Sequence, residues 1–171
     1  MIGSRPAGVL TLSLLGAGAR VAVGVLWLIE GILKYRAGFG AADIELVAQS
    51  TEGNPRVPWF FEPLASFMGM APGVFGVVMP ALEVALGVLL VAGFLTRIAA
   101  FLSIGTLMLY WSADQLIAQY PAMVVLSAVV LLLTVSGRFG MDGWLRARRR
   151  EATEATEATK ATAATSGLWE A

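Results

Sequence analysis

The chain has 171 residues and no formal net charge; 57% are hydrophobic and 14% charged, and its mean hydropathy is +0.75. A water-soluble domain carries about 45–50% apolar and about 25% charged residues, so the surplus apolar surface requires lipid as solvent. Zero net charge provides no field for nucleic acid. The lack of cysteine and histidine excludes thiolate nucleophiles, imidazole bases and the usual zinc, copper and haem ligand sets.

The first apolar run extends from about residue 9 to residue 34, broken by Arg20 and Glu30 and closed by Lys34, Tyr35 and Arg36. Its start has the outline of a secretion signal: Arg5 as the basic region, Leu10 to Leu15 as the apolar core, and Ala17-Gly18-Ala19 as the small residues before a cut. Cleavage there would leave only Val21 to Leu33, shorter than the about 20 residues a bilayer crossing needs, so an uncleaved first span is expected. Further runs at about 73–95, which contains Glu83, at 98–113 and at 122–136 make four spans. The expected fold is an all-α integral membrane four-helix bundle over residues 1–150, with a long extracytoplasmic loop between its first two helices.

That loop, from Arg36 to Pro72, exceeds a plain helix-helix turn, and a short helix is expected near Ala42 to Ala48. Val57 to Met68 sets large rings beside prolines, which suits a segment lying in the interface plane; a lid over the bundle is the alternative. Tyr35, Trp59, Tyr110, Trp111 and Tyr120 are expected at one interface and Trp144 at the other. After Arg150 the triplets EAT, EAT, EAT, KAT and AAT drift around a helix and form no apolar stripe. Residues 151–171 are therefore expected to be a disordered tail, with Leu168 and Trp169 as its one candidate docking motif. With four spans, Arg5, Arg97, Arg138, Arg146, Arg148, Arg149 and Arg150 share one side. The positive-inside rule makes that side cytoplasmic, so both termini are expected there.

An ionised side chain at mid-bilayer costs about 2.5–3.5 kcal/mol on insertion scales, so intramembrane charges face a bundle interior and find partners. Arg20, Gly24, Trp27, Gly31 and Lys34 recur at helical spacing and mark an inward face of the first helix. Glu30 precedes Lys34 by one turn, the orientation that favours a local ion pair. On the second span Gly76, Pro80, Glu83 and Gly87 share a face, and the small residues bracketing the carboxylate allow a neighbouring helix to approach. Arg20 and Glu83 are level in depth within roughly 10 Å, so a buried Arg20–Glu83 pair is expected, whether to set helix register or to handle a proton or a carbonyl group. Tyr110, Trp111, Asp114 and Gln115 offer stacking and hydrogen-bonding groups at headgroup depth. Met68 and Met70 read as interfacial packing rather than copper ligands.

Three segments in order carry a family likeness: Arg20-Val-Ala-Val-Gly24 running on to Glu30-Gly31-Ile-Leu-Lys34; Leu82-Glu83-Val-Ala-Leu-Gly87 running on to Gly93-Phe-Leu-Thr96-Arg97; and Gly137-Arg-Phe-Gly140-Met-Asp142. Together they resemble the DoxX/DoxD-like family of small four-helix bacterial membrane proteins. The resemblance implies a plasma-membrane location and an association with redox systems, among them the small subunit of thiosulfate:quinone oxidoreductase.

The buried charges and this resemblance lead to one expectation, an accessory or anchoring subunit of a quinone-linked membrane redox system. No catalytic residue and no metal ligand is assigned. The candidate intramembrane polar set is Arg20, Glu30, Lys34, Glu83, Tyr110, Trp111 and Asp114, with quinone as the one cofactor considered. A non-catalytic structural or stress-related membrane protein is the alternative. A proton or small-solute transporter using Glu83, which would need a dimer to enclose a path, is a further one. Lipid and a redox partner subunit are the expected partners, a homodimer remains open, and nucleic acid is not expected.

Overall fold

A computed structural model describes residues 7–115, 117–133 and 135–166, with side chains between Gly8 and Lys160. Arg5, Thr134 of the fourth apolar run, and the Leu168–Trp169 pair lie outside the described residues. Among those described there are seven helices and no strand. They are α1 (Ala7–Ala37), α2 (Ala41–Thr51), α3 (Glu62–Met70), α4 (Pro72–Ala92), α5 (Thr96–Ser112), α6 (Tyr120–Leu132) and α7 (Met141–Ser166).

Two of them, Gly8–Ala37 within α1 and Pro72–Ala92, are long and apolar enough to cross a bilayer. With 17 and 13 residues, α5 and α6 are shorter, about 26 and 20 Å at the helical rise. The run expected to reach residue 136 leaves the helix at Leu132 and enters a turn. Large apolar side chains point outward along these helices, including Leu14, Leu33, Val77, Phe101, Met108 and Val125. An exposed belt of this kind is a solvent preference for lipid.

α1 lies antiparallel to α4 and also packs on α6, while α5 packs on α6 and α4. Glycines bring α1 and α4 together. A Cβ on Gly24 would stand 2.9 Å from the Val91 backbone nitrogen, one on Gly31 3.0 Å from the Val84 nitrogen, and one on Gly87 2.8 Å from the Leu28 nitrogen. These contacts bury the face of α1 that carries Arg20, Gly24, Trp27 and Gly31 and the face of α4 that carries Gly76, Pro80, Glu83 and Gly87, as the spacing predicts, and Glu30 is buried beside them. Trp27, Leu86, Leu90, Leu107 and Met123 form the centre of the core, and Trp27 Nε1 donates to Ser103 Oγ at 2.7 Å.

The connection between α1 and α4 contains α2 where a short helix is expected, and α3 beyond it. α1 stops at Gly38, whose φ of +72° lets the Gly38 and Phe39 amides turn back to the carbonyls of Tyr35 and Lys34. α2 then rests on α4 at Gly76, where a Cβ would come within 2.6 Å of the Gly40 backbone. Ile44, Val57, Phe61, Ala65, Met68 and Ala113 make a second apolar cluster beneath α2 and α3, while Trp59, Phe60 and Phe67 stay exposed on the outer side. Of the rings in the 57–68 segment, Phe61 is buried against the cluster and Trp59, Phe60 and Phe67 face outward.

The opposite end of the helices is closed by the turn before α7. Asp142 accepts hydrogen bonds from the amides of Leu95 and Thr96, both at 2.9 Å, and so caps α5, while its own amide donates to the Gly93 carbonyl. A carboxylate there satisfies two amides and faces the positive end of the helix dipole. Asp142→Asn is expected to lower stability by about 1 kcal/mol and Asp142→Ala by up to about 2, read as the unfolding midpoint in detergent.

The expectation of disorder after Arg150 differs from the structure, in which α7 continues as helix to Ser166. Side chains from Glu151 to Lys160 are all exposed, in keeping with the missing apolar stripe. The helix rests on local preference instead: alanine, glutamate and lysine favour it, and Thr153, Thr156 and Thr159, weaker helix formers, satisfy their hydroxyls on the carbonyl four residues earlier.

Candidate functional site

Glu83, fully buried on α4, lies at the centre of the polar residues within the helices. Its Oε1 accepts hydrogen bonds from Lys34 Nζ and Tyr110 Oη, and Lys34 also stands 4.6 Å from the centre of the Tyr110 ring. Lys34 extends from the last turns of α1 and Tyr110 from the last turn of α5, so the three residues tie α1, α4 and α5 together. Glu83 Oε2 is buried without a hydrogen-bond partner, as is the hydroxyl of Tyr120, whose ring lies 5.5 Å from that of Tyr110. Beside them Glu30, also buried, accepts a hydrogen bond from the Gln119 amide.

A cavity of about 110 Å³ adjoins this cluster under α2 and α3. Phe39, Ile44, Phe61, Met68, Phe75 and Met79 supply much of its wall, and Lys34, Tyr110 and Gln115 its polar positions. An apolar chamber with a few convergent polar groups, one of them on a buried carboxylate, is the usual form of a small-molecule site. Lys34 keeps N–H donors beyond the one it gives to Glu83, whereas the single Tyr110 O–H is already donated to that carboxylate. Glu83, with one oxygen bound twice and the other free of partners, is a buried acceptor.

Three expectations are corrected by this geometry. The Arg20–Glu83 pair does not form. Arg20 donates to the carbonyls of Leu90, Val91 and Phe139, latching α1 to the carbonyl end of α4 and to the turn before α7. The Glu30–Lys34 pair does not form either, because each finds a partner on another helix. Tyr110 and Tyr120 are 5% exposed and belong to the core, not the interface, whereas Tyr35, Trp59, Trp111 and Trp144 are exposed. Of the candidate set, Glu30, Lys34, Glu83 and Tyr110 converge. Trp111 points outward, and Asp114 pairs at the surface with Arg56 and Asn54. Nothing in the sequence marks Gln119 as a partner of Glu30, and Tyr120 reads there only as an interfacial ring, because no spacing rule links the start of α6 to α1.

The antiparallel register explains the exchange of partners. Residue 24 meets 91, 28 meets 87 and 31 meets 84, which sets Lys34 level with position 81 and Arg20 level with position 95. The glycines are visible in sequence, but which glycine meets which turn is not.

An all-helical chain with an outward apolar belt, two helices able to cross a bilayer and charged groups held inside defines an α-helical membrane protein. The chain belongs to the DoxX family, whose model matches residues 15–114. The match takes in the Arg20 to Lys34 and Leu82 to Arg97 segments, and Gly137 to Asp142 lies beyond it. Comparison with curated proteins and with solved structures gives no match.

Proposed function

We propose that this DoxX family protein is an accessory subunit of a quinone-linked redox system in the bacterial plasma membrane. On this reading α1, α4, α5 and α6 are four crossings, and α5 and α6 are completed by the turns that extend them. The chain ends share the cytoplasmic side, supported by Arg97, Arg138, Arg146, Arg148, Arg149 and Arg150 lying together at one end. A redox partner subunit supplies the electron-transfer chemistry.

One observation carries the reading: an apolar cavity whose polar end consists of Lys34 and Tyr110, both bonded to the same buried Glu83 oxygen. A free Lys34 N–H has the chemistry to hold a ring carbonyl, the Tyr110 O–H could join it only by giving up its bond to Glu83, and the unpartnered Glu83 Oε2 is an acceptor beside them. A quinone supplies reversible two-electron, two-proton chemistry when bound. At about 110 Å³ the cavity is smaller than an engineered cavity of about 150 Å³ that takes benzene. Entry of a ring therefore requires α2 and α3 to give way, and these helices pack mainly on each other and on α4.

The test is purification of the full chain in mild detergent with analysis of what accompanies it. Quinone or a redox subunit is expected with the wild type and at least about tenfold less with Glu83→Gln, since a charge-assisted hydrogen bond contributes about 1.5–3 kcal/mol. Recovery of the protein alone, quinone-free and indifferent to that substitution, overturns the reading. The same outcome would favour a purely structural membrane protein. The mutual bonding of Lys34, Tyr110 and Glu83 supports that second reading, because it links three helices without needing a ligand.

A further inference from the structure

At the other end of the helices, a recess of about 510 Å³ lies between the α4–α5 turn and the first turns of α7. Arg97, Arg146 and Arg149 line it, with Asp142 as the single carboxylate. Both Asp142 oxygens are already engaged by the amides of Leu95 and Thr96, so that carboxylate is committed to capping α5. Thr96, in the same wall, is 2% exposed, and its hydroxyl has no hydrogen-bond partner. It lies 3.2 Å from where a Gly137 Cβ would be, Arg146 Nη2 lies at the same distance and Asp142 Oδ2 at 3.1 Å. The space beside Gly137 is thus one on which a hydroxyl, a guanidinium and the capping carboxylate converge, and the anion's place is the open side of the recess towards Arg97 and Arg149.

Cation excess and an unused donor specify an anion, and guanidinium groups match the oxygens of a phosphate in pairs. The rim indicates which phosphate. Leu95 and Ile98 at the edge are 44% and 55% exposed, and Phe101 and Leu102 continue the same outward face one turn further along α5. On the α7 side, Trp144 is exposed with Arg148 stacked 4.5 Å from its ring centre. Basic groups at the mouth, an amphipathic ring beside them and an apolar track leading away match the headgroup, interface and acyl regions of one lipid. A second recess on the other side of α7 also contains arginines, but Glu151 and Glu154 line it and offset two of its three positive charges.

We propose that the recess lined by Thr96, Arg97, Arg146 and Arg149 binds the phosphate of an anionic phospholipid whose acyl chain lies along Ile98, Phe101 and Leu102. The site is separate from the Glu83 cavity and does not depend on its ligand; it requires only that the helices stand in a bilayer.

The full chain is reconstituted in nanodiscs, which first establishes membrane insertion. Retained lipid is then measured by native mass spectrometry and by titration with phosphatidylglycerol or phosphatidylcholine. Phosphatidylglycerol is expected to bind in preference, and Arg97→Gln combined with Arg149→Gln to weaken it roughly 10- to 30-fold, at about 1 kcal/mol per cation. Arg149→Gln alone, on an exposed helix face, is expected to weaken it about fivefold. Arg138→Gln combined with Arg150→Gln is expected to change it less than about threefold, because neither residue lines the proposed site and glutamates stand beside both. Equal loss in the two double variants, equal binding of phosphatidylcholine, or full displacement by inorganic phosphate at equal concentration overturns the proposal. Failure of the chain to insert at all refutes the membrane reading instead.

Discussion

Replacing Lys34 with methionine is expected to destabilise the protein by about 3–5 kcal/mol, the cost of leaving one member of a buried ion pair alone. Glu83 is fully buried and Lys34 supplies the only cation paired with it among the described residues. Without that ammonium the carboxylate keeps the Tyr110 hydroxyl and nothing to balance its charge. Lys34→Met with Glu83→Leu removes both charges and is expected to recover most of the loss, because a well-packed apolar pair is often as stable as the ions it replaces. SDS-induced unfolding in mixed micelles, followed by tryptophan fluorescence, measures both variants. A double variant as unstable as the single one would show that the pair is not the source of the effect. Arg20→Met serves as the control: Arg20 binds carbonyls roughly two turns from Glu83, and its effect is expected to add to that of Glu83→Leu within about 0.5 kcal/mol.

Gly31→Val is expected to cost more than about 3 kcal/mol, whereas Gly18→Ala is expected to be neutral or to stabilise by up to about 1 kcal/mol. Both glycines lie inside α1, so helix preference alone would favour either replacement. Their surroundings decide. A Cβ on Gly31 would come within 2.7 Å of Val84 Cγ2 and 3.0 Å of the Pro80 carbonyl and Val84 nitrogen, and backbone atoms cannot swing aside. α1 and α4 would have to separate one turn from the Lys34–Glu83 contact, so this variant is also expected to lose whatever the cavity binds. At Gly18 a Cβ meets nothing within 4 Å. Unfolding midpoints for the two, measured side by side, test the close α1–α4 approach. Equal and small effects would contradict it.

Much of this was legible in the chain because it depends on local composition and on one helical period. The excess of apolar residues required lipid, and the spacing of Arg20, Gly24, Trp27, Gly31 and Lys34 identified the face of α1 that is buried. The glycines around Glu83 identified the corresponding face of α4, and α2 appeared within a few residues of its expected place. The motifs around Gly93 and from Gly137 to Asp142 were visible as well, although their work was not. Gly93 and Gly140 approach so closely that a Cβ on either would meet the other's backbone, and Asp142 caps a helix that begins 46 residues before it.

Lipid as solvent, the inward faces and the positions of the charges were thus determined by the sequence alone, since each follows from residue type and a period of 3.6. Which charge meets which was decided only in the tertiary structure. A helical face is a stripe whose vertical register against its neighbour is set by glycine contacts far apart in the chain. In the register those contacts set, Glu83 is level with position 32, close to Lys34 and about three turns from Arg20, which meets the carbonyls ending α4 instead.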